Sequence, residues 1–269
     1  MIRATMVLLV MTLFSTVLTA ANALCGVITI AGNGPESRTI ERLTRTFEQD
    51  HHGSVVDIRW DSSFDPVQMV KAGEADLAVA GQTDADLIAI PIAWDGIAVL
   101  VDFTNPIKEV TSQQVADMFS GKVTRWSGFG GPDLLIQLID RPVNQHIRGA
   151  FERQLGIVGQ IPVSAQVRQS DQRAISTVAG NMSAVTYASL GSALEAVTYG
   201  VGVNLLLVDR VEAAKETVKD GRYALRRPVL LLRKKGAHPA TDAFVAFVLS
   251  DSGQDILEDM FVRYRPSEH

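Results

Sequence analysis

Residues 27–80 read VITIAGNGPESRTIERLTRTFEQDHHGSVVDIRWDSSFDPVQMVKAGEADLAVA, and this stretch decides the fold. Val27 to Ile30 is a short apolar strand. Asn33-Gly34-Pro35-Glu36 turns into a helix, with Asn33 expected as N-cap and Glu36 three residues on as its capping-box partner. Ile40, Leu43 and Phe47 mark one face of that helix, and His51-His52-Gly53 closes it. Val55 to Trp60 alternates as a second strand. Asp65-Pro66-Val67-Gln68 opens a short helix through Ala72, and Leu77 to Ala80 is a third strand. A β-α-β-α-β order implies a parallel sheet covered by helices.

Upstream, Arg3 precedes the apolar run Met6 to Leu18, and Ala21-Asn22-Ala23 follows it. A positive start, a run too short for a stable anchor and a small-x-small site read as a cleavable signal peptide over residues 1–23. Cys25, the single cysteine, excludes an internal disulfide. Leu24 before it departs from a lipoprotein signal, so a lipid anchor is the minority reading.

Downstream, Ile97 to Val101 reads as a buried strand beyond the break at Asp95-Gly96. Helices are expected over 111–119, capped by Thr111, and over 147–155, 170–178, 240–249 and 254–260. Strands are expected over 134–139, 184–187, 204–208 and 227–232. The net charge is −5, and no basic run interleaved with aromatics occurs, which excludes a nucleic-acid partner. Aromatic residues make up only 6%, which disfavours a sugar or oligopeptide cleft built on stacking platforms. Gly-x-Ser-x-Gly, His-Glu-x-x-His and the phosphate-loop motif are all missing, so the sequence reads as a binding protein and not an enzyme. No cofactor and no metal is expected. Asp50-His51-His52 places adjacent donors on one loop, poor geometry for a single ion.

Ligands of open α/β sheets sit at the carboxyl ends of strands, where helices begin. Three junctions qualify: Asn33 to Glu36, Asp61 to Asp65, and Gln145 to Arg148. Free N–H groups and the positive dipole end at helix starts favour an anion.

Three stretches carry a resemblance. Pro91-Ile92-Ala93-Trp94-Asp95-Gly96-Ile97-Ala98-Val99 precedes Asn105-Pro106-Ile107. A helix then ends in Met118-Phe119-Ser120-Gly121-Lys122-Val123-Thr124-Arg125-Trp126. Asp140-Arg141 precedes a helix containing Gly149-Ala150-Phe151-Glu152. With Arg226-Arg227-Pro228-Val229-Leu230-Leu231 and Phe247-Val248-Leu249-Ser250-Asp251-Ser252-Gly253-Gln254 in the tail, the chain resembles the periplasmic phosphate-binding proteins of ABC transporters.

The resemblance implies a two-lobed α/β fold of the type II periplasmic-binding class. Each lobe would be a mainly parallel sheet flanked by helices, joined by two hinge strands at Ile97 to Val101 and Val229 to Leu232. Lobe 1 is expected over 24–100 plus 230–269 and lobe 2 over 101–229. It also implies a periplasmic monomer that captures a small anion, phosphate or a related oxyanion, and presents it to an inner-membrane ABC permease or to a sensor. Ser63 falls at the family's second-loop serine and Arg141 at its ligand arginine. Gly34-Pro35 stands in place of the first-loop Thr-Phe, Gly81 in place of the aspartate, and Gln145-His146-Ile147 in place of Ser-Gly-Thr.

The expected ligand-binding residues are therefore Gly34, Ser62, Ser63, Gly81, Arg141, Gln145, His146 and Arg148. Six of them have a plainer alternative. Arg141 would pair within its lobe, Arg148 would cover a solvated helix face, Gln145 and His146 would fill the cleft, and Ser62 and Ser63 would cap a turn. Asp61 or Asp65 would accept a proton from a monohydrogen oxyanion, or Asp65 would cap its own helix. The competing function is a ligand-sensing or scaffold protein whose degenerate cleft binds no phosphate. A hydrolase on the same frame lacks an identifiable nucleophile and base.

Overall fold

The structure, a computed structural model, describes residues 26–264. The signal-peptide and Cys25 readings lie outside the described residues. Strand β1 (Gly26–Gly32) leads through helix α1 (Ser37–Asp50), β2 (Ser54–Trp60) and α2 (Pro66–Ala72) to β3 (Leu77–Ala80) and the long β4 (Ile88–Asp102). There follow β5 (Glu109–Val110), α3 (Ser112–Phe119), β6 (Gln137–Asp140), α4 (His146–Leu155), β7 (Gln166–Val167) and α5 (Asp171–Val178). Next come β8 (Ala184–Ser189), α6 (Leu190–Thr198), β9 (Val203–Leu205), β10 (Leu207–Val208) and α7 (Lys215–Lys219). The chain ends with β11 (Arg226–Arg233), α8 (Pro239–Leu249), α9 (Asp251–Glu258) and β12 (Val262–Arg263).

One mixed sheet runs through the molecule in the order β2-β1-β3-β11-β4-β8-β6-β7. β1 lies parallel to β2 and β3, and β6 lies parallel to β7 and β8. Between these parallel sets, β4 is antiparallel to β11 over residues 88–96 and antiparallel to β8 over 97–101. β4 thus passes from one lobe to the other, and Asp95-Gly96, read in sequence as a break, lies inside a continuous strand. Pro91 fits within it beside a register shift in β11 between Val229 and Leu230.

Alternation along the strands separates two apolar layers in the first lobe. Ile28 and Ile30 of β1 and Val229 and Leu231 of β11 pack with Ile40, Leu43 and Phe47 of α1 and Phe244 and Val248 of α8. Ala31, Leu230 and Leu232 face the other way, onto Val70 of α2. A sheet apolar on both faces needs helices on both, which is why its strands read as nearly continuous apolar runs. In the second lobe Phe151 and Tyr187 stack with ring centroids 4.0 Å apart, and Phe119 meets both edge-on in the same core.

The capping expectations divide. Thr111 and Gln114 form the reciprocal box at the start of α3, and Asp65 accepts from Gln68 N at the start of α2. Asn33 does not cap α1. That helix begins at Ser37 with Glu36 at its N-cap and no side-chain capping bond. The side chains of Asn33 and Glu36 are used between the lobes instead.

Candidate functional site

The three junctions singled out in the sequence line one gap between the lobes. Asn33 Nδ2 donates to Phe64 O (3.0 Å) in its own lobe and to Asn144 O (2.8 Å) across the gap. Asn144 Nδ2 returns a bond to Phe64 O at 2.9 Å. Two cavities, both lined by Asn33 and Gln145, lie along the gap. One, of about 330 Å³, is lined by Gly34, Arg38, Trp60, Ser62, Gln145 and Asp171 among others. The second, of about 340 Å³, is bordered by Gln68, Gln82, Asn144, His146 and Arg153.

A buried ionic cluster joins the lobes at this gap. Arg227, at the start of β11, donates from Nε and Nη2 to Asp95 Oδ2 of β4 (3.1 and 2.7 Å) and from Nη2 to Glu36 Oε1 (2.6 Å). Its Nη1 lies 2.8 Å from His146 Nδ1, on the first residue of α4. A guanidinium only donates, so Nδ1 is the acceptor and the ring proton sits on Nε2. Nε2 faces Glu36 Oε2 at 3.2 Å. Asp95 also accepts from Ser189 Oγ (2.9 Å) and Leu190 N (3.3 Å).

Burial pushes the Glu36 carboxyl up, but His146 and Arg227 together outweigh it and bring it down to about 2. Burial pushes Asp95 up to about 6, opposed by Arg227 and reinforced by the nearby Glu36. Arg227 is held above its ordinary range, because its two carboxylate partners outweigh its own desolvation.

Arg141 is fully buried at the end of β6. Its Nη2 donates to Asp171 Oδ1 (2.9 Å) and to Tyr187 O (2.6 Å), while Nε and Nη1 have no hydrogen-bond partner in the protein. The Asp171 carboxylate also accepts from Ser189 N, and Asp171 lines the first cavity.

The remaining expected residues fall as follows. Gln145 lines both cavities and donates to Gln169 O at 2.9 Å. Ser62 lines the first cavity. Ser63 turns back on Asp61, donating from its amide (2.7 Å) and its hydroxyl (2.6 Å), which holds the Asp61 carboxyl below its usual range. Arg148 does not cover a solvated face; it pairs with Asp140 (3.0 Å) and Glu152 (2.8 Å) inside the second lobe. Gly34 and Gly81 leave the space that the cluster fills. A Cβ at Gly34 would collide with His146 Nε2 and Glu36 Oε2, and one at Gly81 would lie 3.1 Å from His146 Nδ1 and 3.4 Å from Arg227 Nη1. His51 stacks on Phe47 and bonds to its carbonyl, and no group of metal-ligating side chains occurs among the described residues.

Sequence reasoning missed Glu36, Asp95 and Arg227. Glu36 was absorbed by a capping reading, Asp95 by a break in an apolar run, and Arg227 by a strand start. The available signal was Asp95, a charge inside an otherwise apolar run, where an unpaired charge is too costly to bury; Glu36 in a polar turn and Arg227 beside Arg226 carried no such mark.

Comparisons with known proteins agree with this architecture. The chain is 26% identical to a putative phosphate ABC transporter substrate-binding protein from Clostridium perfringens solved with bound phosphate, over 89% of this chain and 100% of that one, with a TM-score of 0.80. An ABC-type phosphate transport receptor from Vibrio cholerae is 25% identical over 88% of this chain and 100% of the other, with a TM-score of 0.77. The phosphate-binding protein PstS of Borreliella burgdorferi is 25% identical over 175 residues, which span 62% of each chain. The family description "PBP superfamily domain" matches residues 19–252, and on that match the chain belongs to the PBP superfamily domain family.

Proposed function

We propose that this chain is a periplasmic solute-binding protein that captures a small anion, phosphate or a related oxyanion, and delivers it to an ABC-type importer in the inner membrane. It would act by binding, without catalysis, as a monomer of two lobes over 24–100 plus 230–269 and 101–229. The observation that carries the reading is Arg141, a buried guanidinium at a strand end whose Nε and Nη1 have no hydrogen-bond partner in the protein and whose partner Asp171 lines the first cavity. Unused buried donors on a cation are costly, and hydrogen bonds to a bound oxyanion would offset that cost. The likeness to a phosphate-bound receptor supports the choice of anion. For export, the support is the apolar run at the start of the chain. Among the described residues no helix is long and apolar enough to cross a membrane.

Calorimetric titration of the purified protein with phosphate, sulfate and molybdate tests the proposal. Saturable binding of one of them is expected, accompanied by a rise in melting temperature through mass action. Arg141→Ala is expected to weaken that binding at least ten-fold. No heat and no melting shift with any of the three at millimolar concentration would defeat oxyanion capture, and retained affinity in Arg141→Ala would remove Arg141 from the site.

A second reading has its own observation. The carboxylate of Glu36 already lies between Arg227 and His146, where the lobes meet. This favours a sensor or scaffold whose cleft does not take phosphate, and the same titration separates the two.

A further inference from the structure

We propose that Glu36 is a resident counter-anion: its carboxylate occupies an anion-receiving point between the lobes, so that the chain closes around its own side chain and an outside oxyanion binds at that point only by displacing it. The proposal rests on the two-lobed receptor reading above and specifies how its site is regulated.

Glu36 immediately precedes α1, and His146 is the first residue of α4, so two helix starts from opposite lobes meet here. Helix starts, a guanidinium and an imidazole N–H are groups that receive anions. The anion they receive in this molecule is a side chain, 1% exposed, bonded to Arg227 at 2.6 Å and faced by His146 Nε2 at 3.2 Å. The backbones of Gly34 and Gly81 close around the same spot, and neither position has room for a Cβ that leaves the cluster undisturbed.

The cluster holds two carboxylates, Glu36 and Asp95, against one guanidinium and the His146 ring. A phosphate arriving beside Glu36 would place a third anion on a single guanidinium in a buried setting, where repulsion is poorly screened. At this cluster, repulsion therefore favours displacement of the Glu36 side chain over coexistence with it. The depressed Glu36 carboxyl agrees with a group held as an anion at neutral pH.

Glu36 belongs to the first lobe, His146 to the second, and Arg227 and Asp95 to the paired strands β11 and β4 between them. A ligand in a two-lobed receptor stabilises closure by touching both lobes at once. Glu36 already makes that bridge.

The test compares wild type, Glu36→Ala and Glu36→Gln by calorimetry with phosphate and by melting in acetate and in phosphate. Glu36→Ala is expected to melt lower than wild type, to recover in millimolar acetate or phosphate, and to bind phosphate at least ten-fold more tightly than wild type. Glu36→Gln fills the same volume without charge and is expected to show no recovery and less tightening than Glu36→Ala. Should Glu36→Ala fail to fold, Glu36→Asp, with its carboxylate drawn back, is expected to tighten phosphate several-fold. Phosphate affinity unchanged or weakened in Glu36→Ala, or in Glu36→Asp where that stands in, overturns the inference. If wild type binds phosphate tightly in that case, oxyanion capture still stands. Tight binding by Glu36→Ala beside no binding by wild type upholds the inference and ends phosphate capture by the native chain.

Discussion

The carboxylate of Glu36 and the imidazole of His146 meet in space that exists because residues 34 and 81 carry no Cβ. Gly34→Ala would place a methyl group into both side chains, and neither can retreat without giving up Arg227 or the other. Gly34→Ala is expected to lose about 1–3 kcal/mol of stability, the usual range for overpacking a filled site. It is also expected to increase the radius of gyration in small-angle scattering as the lobes part. Gly81→Ala, whose Cβ would have contacts of 3.1 and 3.4 Å, is expected to do the same more weakly. An unchanged melting curve for Gly34→Ala would show that the cluster does not hold the lobes. At this scale the sequence was partly legible. Gly34, Gly81 and His146 could be placed at the gap because they stand where a related motif has ligand contacts. What replaced those contacts was hidden, since Glu36 and Arg227 lie 191 residues apart and no local pattern links them.

Elements were more legible than residues, because period and capping are local properties. β1 through β3 lie within a residue or two of the expected spans, and Thr111 with Gln114 makes the capping box that its spacing announces. Thr111→Ala removes one donor's partner at the start of α3, and the Thr111 side chain makes no hydrogen bond to the ionic cluster. It should cost about 1 kcal/mol in urea denaturation and leave oxyanion affinity unchanged. A loss below a few tenths would mean that tertiary packing alone sets the start of α3. The Asn33 to Glu36 signature had the same form and failed, because both side chains find stronger partners outside the helix: carbonyls for Asn33, a guanidinium for Glu36. α6 and α7 also escaped notice. Half-buried LGSALEAVT has too little polar contrast to show a helical face, and five-residue KETVK is too short to show a period. The continuity of β4 across Asp95 follows from distant Arg227, which lets a carboxylate sit in the middle of a buried strand.

For the whole molecule, the cluster makes stability depend on pH through two carboxyls that act in opposite directions. Asp95 is raised from its ordinary 3.8 to about 6, so the folded protein takes up this proton more readily than the unfolded chain. Its contribution is fully present below 3.8 and is lost as pH rises through about 6. Glu36 is lowered from 4.5 to about 2, so its contribution is present above 4.5 and is lost as pH falls toward 2. Acidification from neutrality therefore protonates Asp95 first, while Glu36 still holds Arg227 and His146. The melting temperature should rise between pH 7 and roughly pH 5, by an amount equivalent to about 1–3 kcal/mol, and fall on further acidification. Surface carboxylates add a background slope common to any variant, so the informative quantity is the difference from Asp95→Asn. That variant cannot take up the proton, so its profile should lack the rise. If the difference between the two proteins stays constant from pH 7 to pH 5, Asp95 does not titrate in this window and the pH dependence of the junction rests on Glu36 alone.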